Sequence, residues 1–348
     1  MDVFFAFIAW YIFFKLTDHF LAARGHRGKV TDHFNGKTFY SYGSSPDSVR
    51  RRPPLSRMLK FVFLNKRSPW KRRQVHATTK PASRIVGARL TVTFINHSTL
   101  LIQTEGKNIL TDPVWSKRAS PFSFIGPSRF QDPGVDFEDL PEIDLVLISH
   151  NHYDHMDLAT LRRVEEKWHP PILVGLGNAP YLTSKGLTNV IEMDWWDEHV
   201  VDPALRVVAA PGQHFSSRAL SDRDNTLWCG FFIETPHGDI YFAGDTGYGA
   251  FVHRIREKYS QFRLALLPIG AFRPQWFMGP VHISPEQAVD IYDELRVHAA
   301  IGIHHSTFHL ADDGQDEPEE IITELKHART EKPLDFRVPK NGEVFEID

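Results

Sequence analysis

From residue 89 onward the apolar and polar positions fall into two patterns. Leu90-Thr91-Val92-Thr93-Phe94-Ile95 alternates with period two, as a half-buried strand does. Leu100-Leu101-Ile102-Gln103-Thr104 follows after a tight connection. Glu105-Gly106-Lys107 is a turn signal, and Asn108-Ile109-Leu110-Thr111 reads as a third strand of a meander. Beyond it, short continuous apolar runs take over: Leu145-Val146-Leu147-Ile148, Ile172-Leu173-Val174, Val207-Val208-Ala209-Ala210, Ile240-Tyr241-Phe242-Ala243 and Ala299-Ala300-Ile301-Gly302-Ile303. Runs this short and this apolar suit buried strands. Further strands are expected near 190–193 and 227–235, and helices over 157–168 and near 179–186. Ser284-Pro285-Glu286-Gln287 starts another helix, with Ser as N-cap, Pro at the first position and Gln three residues after the cap. Mixed strands with interspersed helices predict α+β or α/β layering.

The first 84 residues have a different texture. Residues 3–14 are an unbroken apolar run of 12, short of the roughly 20 that a spanning helix needs. Extending it to Ala23 takes in Lys15, Asp18 and His19, and the basic residues Arg24, Arg27 and Lys29 follow. That order predicts a helix lying in or dipping into a membrane face, with the rest of the chain on the cytoplasmic side. The alternative is a helix packed on the protein's own core or on a partner in a homodimer. Residues 30–84 are polar, basic and Pro-bearing, so an N-terminal extension (1–84) ahead of a catalytic domain (85–348) is expected.

Composition changes this picture in two ways. The formal charge of −3 hides an asymmetry: from Ser48 to Thr104 there are 13 Lys or Arg and no acid, leaving −16 for the remainder. Such a block attracts anionic lipid or nucleic acid. No aromatic-interleaved strand or base-reading motif accompanies it, so nucleic acid is not an expected partner. The single cysteine, Cys229, excludes an intrachain disulfide and a Cys-rich zinc ribbon.

The chemistry gathers at Ser149-His150-Asn151-His152-Tyr153-Asp154-His155-Met156-Asp157, directly after an apolar run. Three imidazoles and a carboxylate within six residues would repel and desolvate one another at a buried strand end unless a cation supplies compensating charge. Strand-like alternation lets His150 and His152 face one ion, while Asp154 and His155, past the turn, reach a second. The same logic recurs where three later runs end in His214, Asp245 and His304. Alone, His214 or His304 would read as a structural histidine; as a set with the first stretch they are candidate ligands.

His-x-His-x-Asp-His resembles the metal motif of the metallo-β-lactamase superfamily. Leu110-Thr111-Asp112-Pro113, Gly126-Pro127-Ser128-Arg129-Phe130, Asp194-Trp195-Trp196, Phe242-Ala243-Gly244-Asp245-Thr246-Gly247-Tyr248 and Pro268-Ile269-Gly270-Ala271 narrow the likeness. Together they resemble the branch containing the phospholipases D that hydrolyse N-acylphosphatidylethanolamine. The resemblance implies a four-layer αβ/βα sandwich with the metal site at one edge between the sheets. It also implies His150, His152 and His214 on one metal, Asp154, His155 and His304 on the other, and Asp245 bridging. Nitrogen and oxygen donors without a thiolate suit a pair of zinc ions, and iron or manganese also fits.

The implied reaction is metal-hydroxide attack on the phosphorus of a phospholipid, yielding N-acylethanolamine and phosphatidate. Asp154, Asp245 and His282 are the candidate catalytic residues, and His282 matches a family histidine near the phosphate. His305, a further candidate substrate contact, stands where the family motif carries Trp. Trp276 and Phe277 are candidate apolar walls for acyl chains. His97 and Asp112 are expected to orient ligands from behind. The alternatives are a soluble hydrolase of the same fold, such as a sugar lactonase or nuclease, and an inactive membrane-tethered metal-binding scaffold. The complete set of candidate ligands counts against the scaffold.

Overall fold

The computed structural model describes residues 15–44, 56, 60 and 68–348. The apolar run at 3–14 and most of the basic stretch at 50–67 lie outside the described residues.

Short buried runs become strands because their backbone groups pair laterally while both faces are covered. β1 (Leu90–Asn96), β2 (Thr99–Thr104), β3 (Lys107–Thr111), β4 (Leu145–Ile148), β5 (Ile172–Gly175), β6 (Val190–Met193) and β14 (Val344–Ile347) form one seven-stranded sheet, ordered β14-β1-β2-β3-β4-β5-β6. β7 (Glu198–Asp202), β8 (Leu205–Ala210), β9 (Gly230–Glu234), β10 (Ile240–Phe242), β11 (Phe262–Pro268), β12 (Val297–Ile303) and β13 (Phe336–Arg337) form the other, ordered β13-β12-β11-β10-β9-β8-β7. Each sheet is antiparallel on one side and parallel on the other, the change falling at β3 in the first and β10 in the second.

Val92, Phe94, Ile102 and Leu147 from the first sheet meet Val207, Phe231, Phe242, Leu266 and Ile301 from the second in one inter-sheet core. Helices cover the outer faces. α1 (Leu158–Trp168) and α2 (Ala179–Ser184) place Leu161, Val164 and Leu182 on Val146, Ile148 and Val174. α3 (Phe251–Lys258), α5 (Pro285–Glu294) and α6 (Glu317–Ala328) cover Phe232, Tyr241, Ala265 and Leu267. A single turn, α4 (Gln275–Met278), precedes α5. The result is the four-layer αβ/βα sandwich that the resemblance implies. The capping box at Ser284 is present, its side chain accepting from Gln287 N while the Gln287 side chain accepts from Ser284 N.

One expectation needs correcting. The alternation in β1 predicts a half-buried strand, yet all seven of its residues are buried, Thr91 and Thr93 included. The segment ahead of β1 lies over the polar face: Gln103, paired with Thr91 in β2, donates through Nε2 to Ala82 O at 2.7 Å.

The N-terminal residues pack closely on this body. Residues 15–21 are helical, and Ala23 N donates to Asp222 Oδ2 at 2.8 Å. Phe34 and Phe39 enter the inter-sheet core. Just ahead of Phe34, His33 stacks on Trp195, with ring centroids 4.3 Å apart, and its nitrogens lie 2.6 Å from Asp32 and 2.7 Å from Asp194. Burial opposes charge on that imidazole, but the two carboxylates prevail and raise its pKa. Part of the basic block also pairs with carboxylates of the same body at its surface. Arg73 pairs with Asp316, Lys80 with Asp139, and Arg84 with Asp144 and Glu142.

Candidate metal centre

Four strand ends open onto one edge of the sandwich. β4 leads into His150, His152, Asp154 and His155; β8 into His214; β10 into Asp245; and β12 into His304. Their polar atoms form two groups. In the first, His150 Nε2 lies 2.7 Å from His152 Nδ1, and His214 Nε2 lies 3.4 Å from that same atom. In the second, Asp154 Oδ2 lies 3.3 Å from His155 Nε2 and 3.4 Å from His304 Nε2. Asp245 Oδ2 joins the two: it is 3.1 Å from His155 Nε2 and 3.0 Å from His304 Nε2, and 3.9 and 3.8 Å from His150 and His214 Nε2.

The residues behind fix which nitrogen faces inward. Asp112 Oδ1 accepts from Ser149 N at 2.7 Å, and its Oδ2 accepts from Ser149 Oγ at 2.6 Å and from His155 Nδ1 at 2.7 Å. Because Ser149 Oγ donates to Asp112, it accepts from His150 Nδ1, 2.9 Å away. His214 Nδ1 donates to Val281 O at 2.8 Å. With Nδ1 turned outward as the donor, His150, His155 and His214 all present Nε2 to the centre, the nitrogen a metal ligand offers. His97 Nε2 stands 3.0 Å from Asp154 Oδ2, and its ring lies 4.1 Å from that of His304.

The backbone is forced into unusual shapes to achieve this. His97, Asp112 and His304 adopt φ of 50°, 33° and 60°. Left-handed backbone at non-glycine residues costs on the order of 1–3 kcal/mol each, and surrounding packing must hold it. Gly244, ahead of Asp245, has φ +60°, and a Cβ there would meet Ser149 Cβ at 2.5 Å. Only glycine lets that strand end pass the serine that holds His150.

The electrostatics divide the cluster. Burial and the neighbouring imidazoles push His150 well below the usual range; burial also lowers His214 and takes His152 down to about 3. These three rings stay neutral. Burial opposes ionisation of Asp154 and Asp245, yet His155 overrides it and holds both carboxyls well below the usual range. Burial likewise opposes charge on His155 and His304, but the carboxylates raise His155 and bring His304 to about 9. The centre thus pairs two buried carboxylates with whatever positive charge is at hand. His155 Nε2, His304 Nε2 and Asp245 Oδ1 are buried without a hydrogen-bond partner. Facing bare nitrogens, orphaned buried atoms and ionised carboxylates fit divalent cations, and each donor group can hold one.

Of the remaining candidates, the structure brings His282 to the cluster and leaves His305 outside it. His282 Nδ1 is buried without a partner, 4.0 Å from Asp245 Oδ2, and burial lowers its pKa to about 4. The His305 ring stacks on Phe94 at 5.4 Å, with Nδ1 3.1 Å from Ser306 Oγ. Trp276 is partly exposed on α4, and Phe277 packs against a small cluster of Ala271, Met278 and Ala311. Sequence reasoning missed the parts played by Ser149 and the Val281 carbonyl. The serine could have been suspected from its place between a buried strand and the first histidine; a backbone carbonyl leaves no sequence signal.

The family model described as a beta-lactamase superfamily domain matches residues 107–305. An N-acyl-phosphatidylethanolamine-hydrolyzing phospholipase D of Caenorhabditis elegans is 33% identical, over 92% of this chain and 93% of its own. A mitochondrial enzyme of that name from Saccharomyces cerevisiae is 37% identical over 63% of this chain and 48% of its own. Among solved structures, a metallo hydrolase from the archaeon Ignicoccus hospitalis superposes with a TM-score of 0.56 at 24% identity, covering 75% of this chain and 99% of its own, a likeness of fold. With a superfamily match over more than half of its length and a full-length relative at this identity, the chain belongs to the metallo-β-lactamase superfamily, in its N-acylphosphatidylethanolamine-hydrolysing phospholipase D-like branch, and is a metal-dependent hydrolase.

Proposed function

We propose that the chain is a dinuclear-zinc phosphodiesterase that hydrolyses a phospholipid such as N-acylphosphatidylethanolamine to N-acylethanolamine and phosphatidate. The observation that carries this reading is the sharing of Asp245 Oδ2 between two groups of nitrogen and oxygen donors. His150, His152 and His214 would hold one ion, Asp154, His155 and His304 the other, and Asp245 both. Bound there, the ions would neutralise phosphodiester charge and lower the pKa of water toward neutrality.

The chain's own groups then have distinct tasks. Asp154, held ionised, takes a proton from the attacking water, while His97 and Asp112 keep the cluster in register. His282, neutral and buried with a nitrogen to spare, donates to a phosphoryl oxygen. Water adds to phosphorus as the bond to the ethanolamine oxygen breaks, and one of its protons ends on that oxygen. Ser149 Oγ is tied between Asp112 and His150, so it is not free to act as a covalent nucleophile.

The lipid substrate goes with a membrane-associated enzyme whose catalytic domain faces the cytoplasmic side. No helix among the described residues is long and apolar enough to cross a membrane. Attachment through a face or through the N-terminal run is the form proposed. Incubation of zinc-loaded protein with a panel of phospholipids, read by product mass, tests the reading. N-acylethanolamine and phosphatidate should accumulate together from the N-acylated lipid. Intact lipids alongside efficient lactone opening would instead favour a soluble hydrolase on the same fold.

A further inference from the structure

Beside the metal-motif loop, a cavity of about 520 Å³ opens between the helix at residues 15–21 and the loop at 116–123. Its surroundings are apolar yet unburied: Phe20 is 71% exposed and Phe124 77%, and Leu16, Ile125 and Leu220 are also exposed. These side chains belong to one face. Phe20 and Phe122 line the same cavity, the rings of Phe122 and Phe124 are 5.7 Å apart, and Leu220 N donates to Asp18 Oδ1 at 2.7 Å. Contiguous exposed apolar surface of this kind marks an interaction site.

Besides the buried Arg218, which donates to Tyr181 Oη, Asn151 O and Met156 O, the same cavity is lined by Lys117, Arg118, Arg162 and Lys185. Arg118 donates to Ser123 O and Gly126 O, Arg162 to Lys185 O, and Lys185 to Phe20 O, all neutral carbonyls. The one carboxylate in the lining, Asp157, is occupied by Ala159 N, Thr160 Oγ1 and Ser116 N. On the neighbouring surface, by contrast, Arg163 and Lys167 both pair with Glu138. Four cations set among exposed aromatic and aliphatic side chains, without carboxylate partners among the described residues, call for an extended anionic and apolar partner. In sequence, the apolar run at residues 3–14 leads directly into this helix.

We propose that the helix at 15–21, the loop at 117–125 and Leu220 form a docking face for an anionic phospholipid bilayer, with the apolar side chains entering the interface and the cations meeting headgroup phosphates. A second copy of the chain fits less well, because a two-fold contact through this face would set its cations against one another. The proposal rests on the phospholipid reading of the active site and adds the surface by which the enzyme reaches its substrate.

Sedimentation with vesicles of phosphatidylcholine alone, and of phosphatidylcholine with an equal part of phosphatidylglycerol, tests it on the full chain. The parent should bind the anionic vesicles more tightly, and salt should weaken that binding. Phe124→Ser with Ile125→Ser, and separately Lys117→Gln with Lys185→Gln, should each lose about tenfold in vesicle affinity. Both double variants should keep the parent's turnover of a short-chain, water-soluble N-acylated phospholipid, which shows that they fold. Parent-like vesicle binding in both variants would overturn the proposal, as would a change in oligomeric state without a change in vesicle binding. If the parent fails to cleave the short-chain lipid while the vesicle results hold, the substrate reading falls and the docking face stands.

Discussion

Asp245→Asn is expected to lower phosphodiester hydrolysis by on the order of 10³-fold and to leave the sandwich folded. The substitution preserves volume and one oxygen but removes the charge. Oδ2 is the atom common to both donor groups, 3.0 Å from His304 Nε2 and 3.1 Å from His155 Nε2 on one side and 3.8 Å from His214 Nε2 on the other. Without that carboxylate, the imidazoles of two sites face each other with no shared anion between them. Zinc content measured by mass spectrometry should fall below that of the parent, while circular dichroism stays the same. A variant with parental zinc content and turnover would show that the two groups do not work as a unit.

Asp112→Ala should be costly for a different reason. The carboxylate is fully buried and satisfies three donors: Ser149 N, Ser149 Oγ and His155 Nδ1. Alanine would leave all three unpaired in the interior, at about 1–3 kcal/mol for each buried group left without a partner. A loss of roughly 4 kcal/mol in unfolding free energy is the expected scale, at the upper end for single substitutions. The same change frees Ser149 and the His155 ring, so zinc affinity should fall about 10–100-fold. Asp112→Asn should do less damage, since it keeps an acceptor but turns an amide N–H₂ toward one of the donors. Urea unfolding and competitive zinc titration on the two variants separate these effects; unchanged zinc affinity in a folded Asp112→Ala protein would remove Asp112 from the site.

The parts of this architecture that are written locally were readable. β4, β8, β10 and β12 are short apolar runs that end in a candidate ligand, and both the run and the ligand are visible in a few consecutive residues. β11 was not foreseen, although its seven residues pair in parallel with β10 and β12. Its Leu264-Ala265-Leu266-Leu267 run is as apolar as that of β4, but it ends in Pro268 with no candidate ligand to mark it. β7, at a sheet edge, and α3 and α6, on an outer face, carry many polar residues and no motif that marks them. Phe34 and Phe39 sit in a polar stretch without periodicity, and what buries them lies far along the chain, at Trp195 and its neighbours. Likewise, the motif placed His305 beside His304, but left-handed backbone at His304 and Ser306 turns its ring toward Phe94. No spacing rule carries that turn.

Hydrolysis of N-acylphosphatidylethanolamine in heavy-oxygen water tests the central claim most directly, because it reports which atom the water attacks. Attack on phosphorus, without a covalent phosphoryl-enzyme, places the label in phosphatidate and none in the released N-acylethanolamine. Added short alcohols should then compete poorly with water. Label in N-acylethanolamine would mean that the carbon–oxygen bond breaks instead, and would contradict the account.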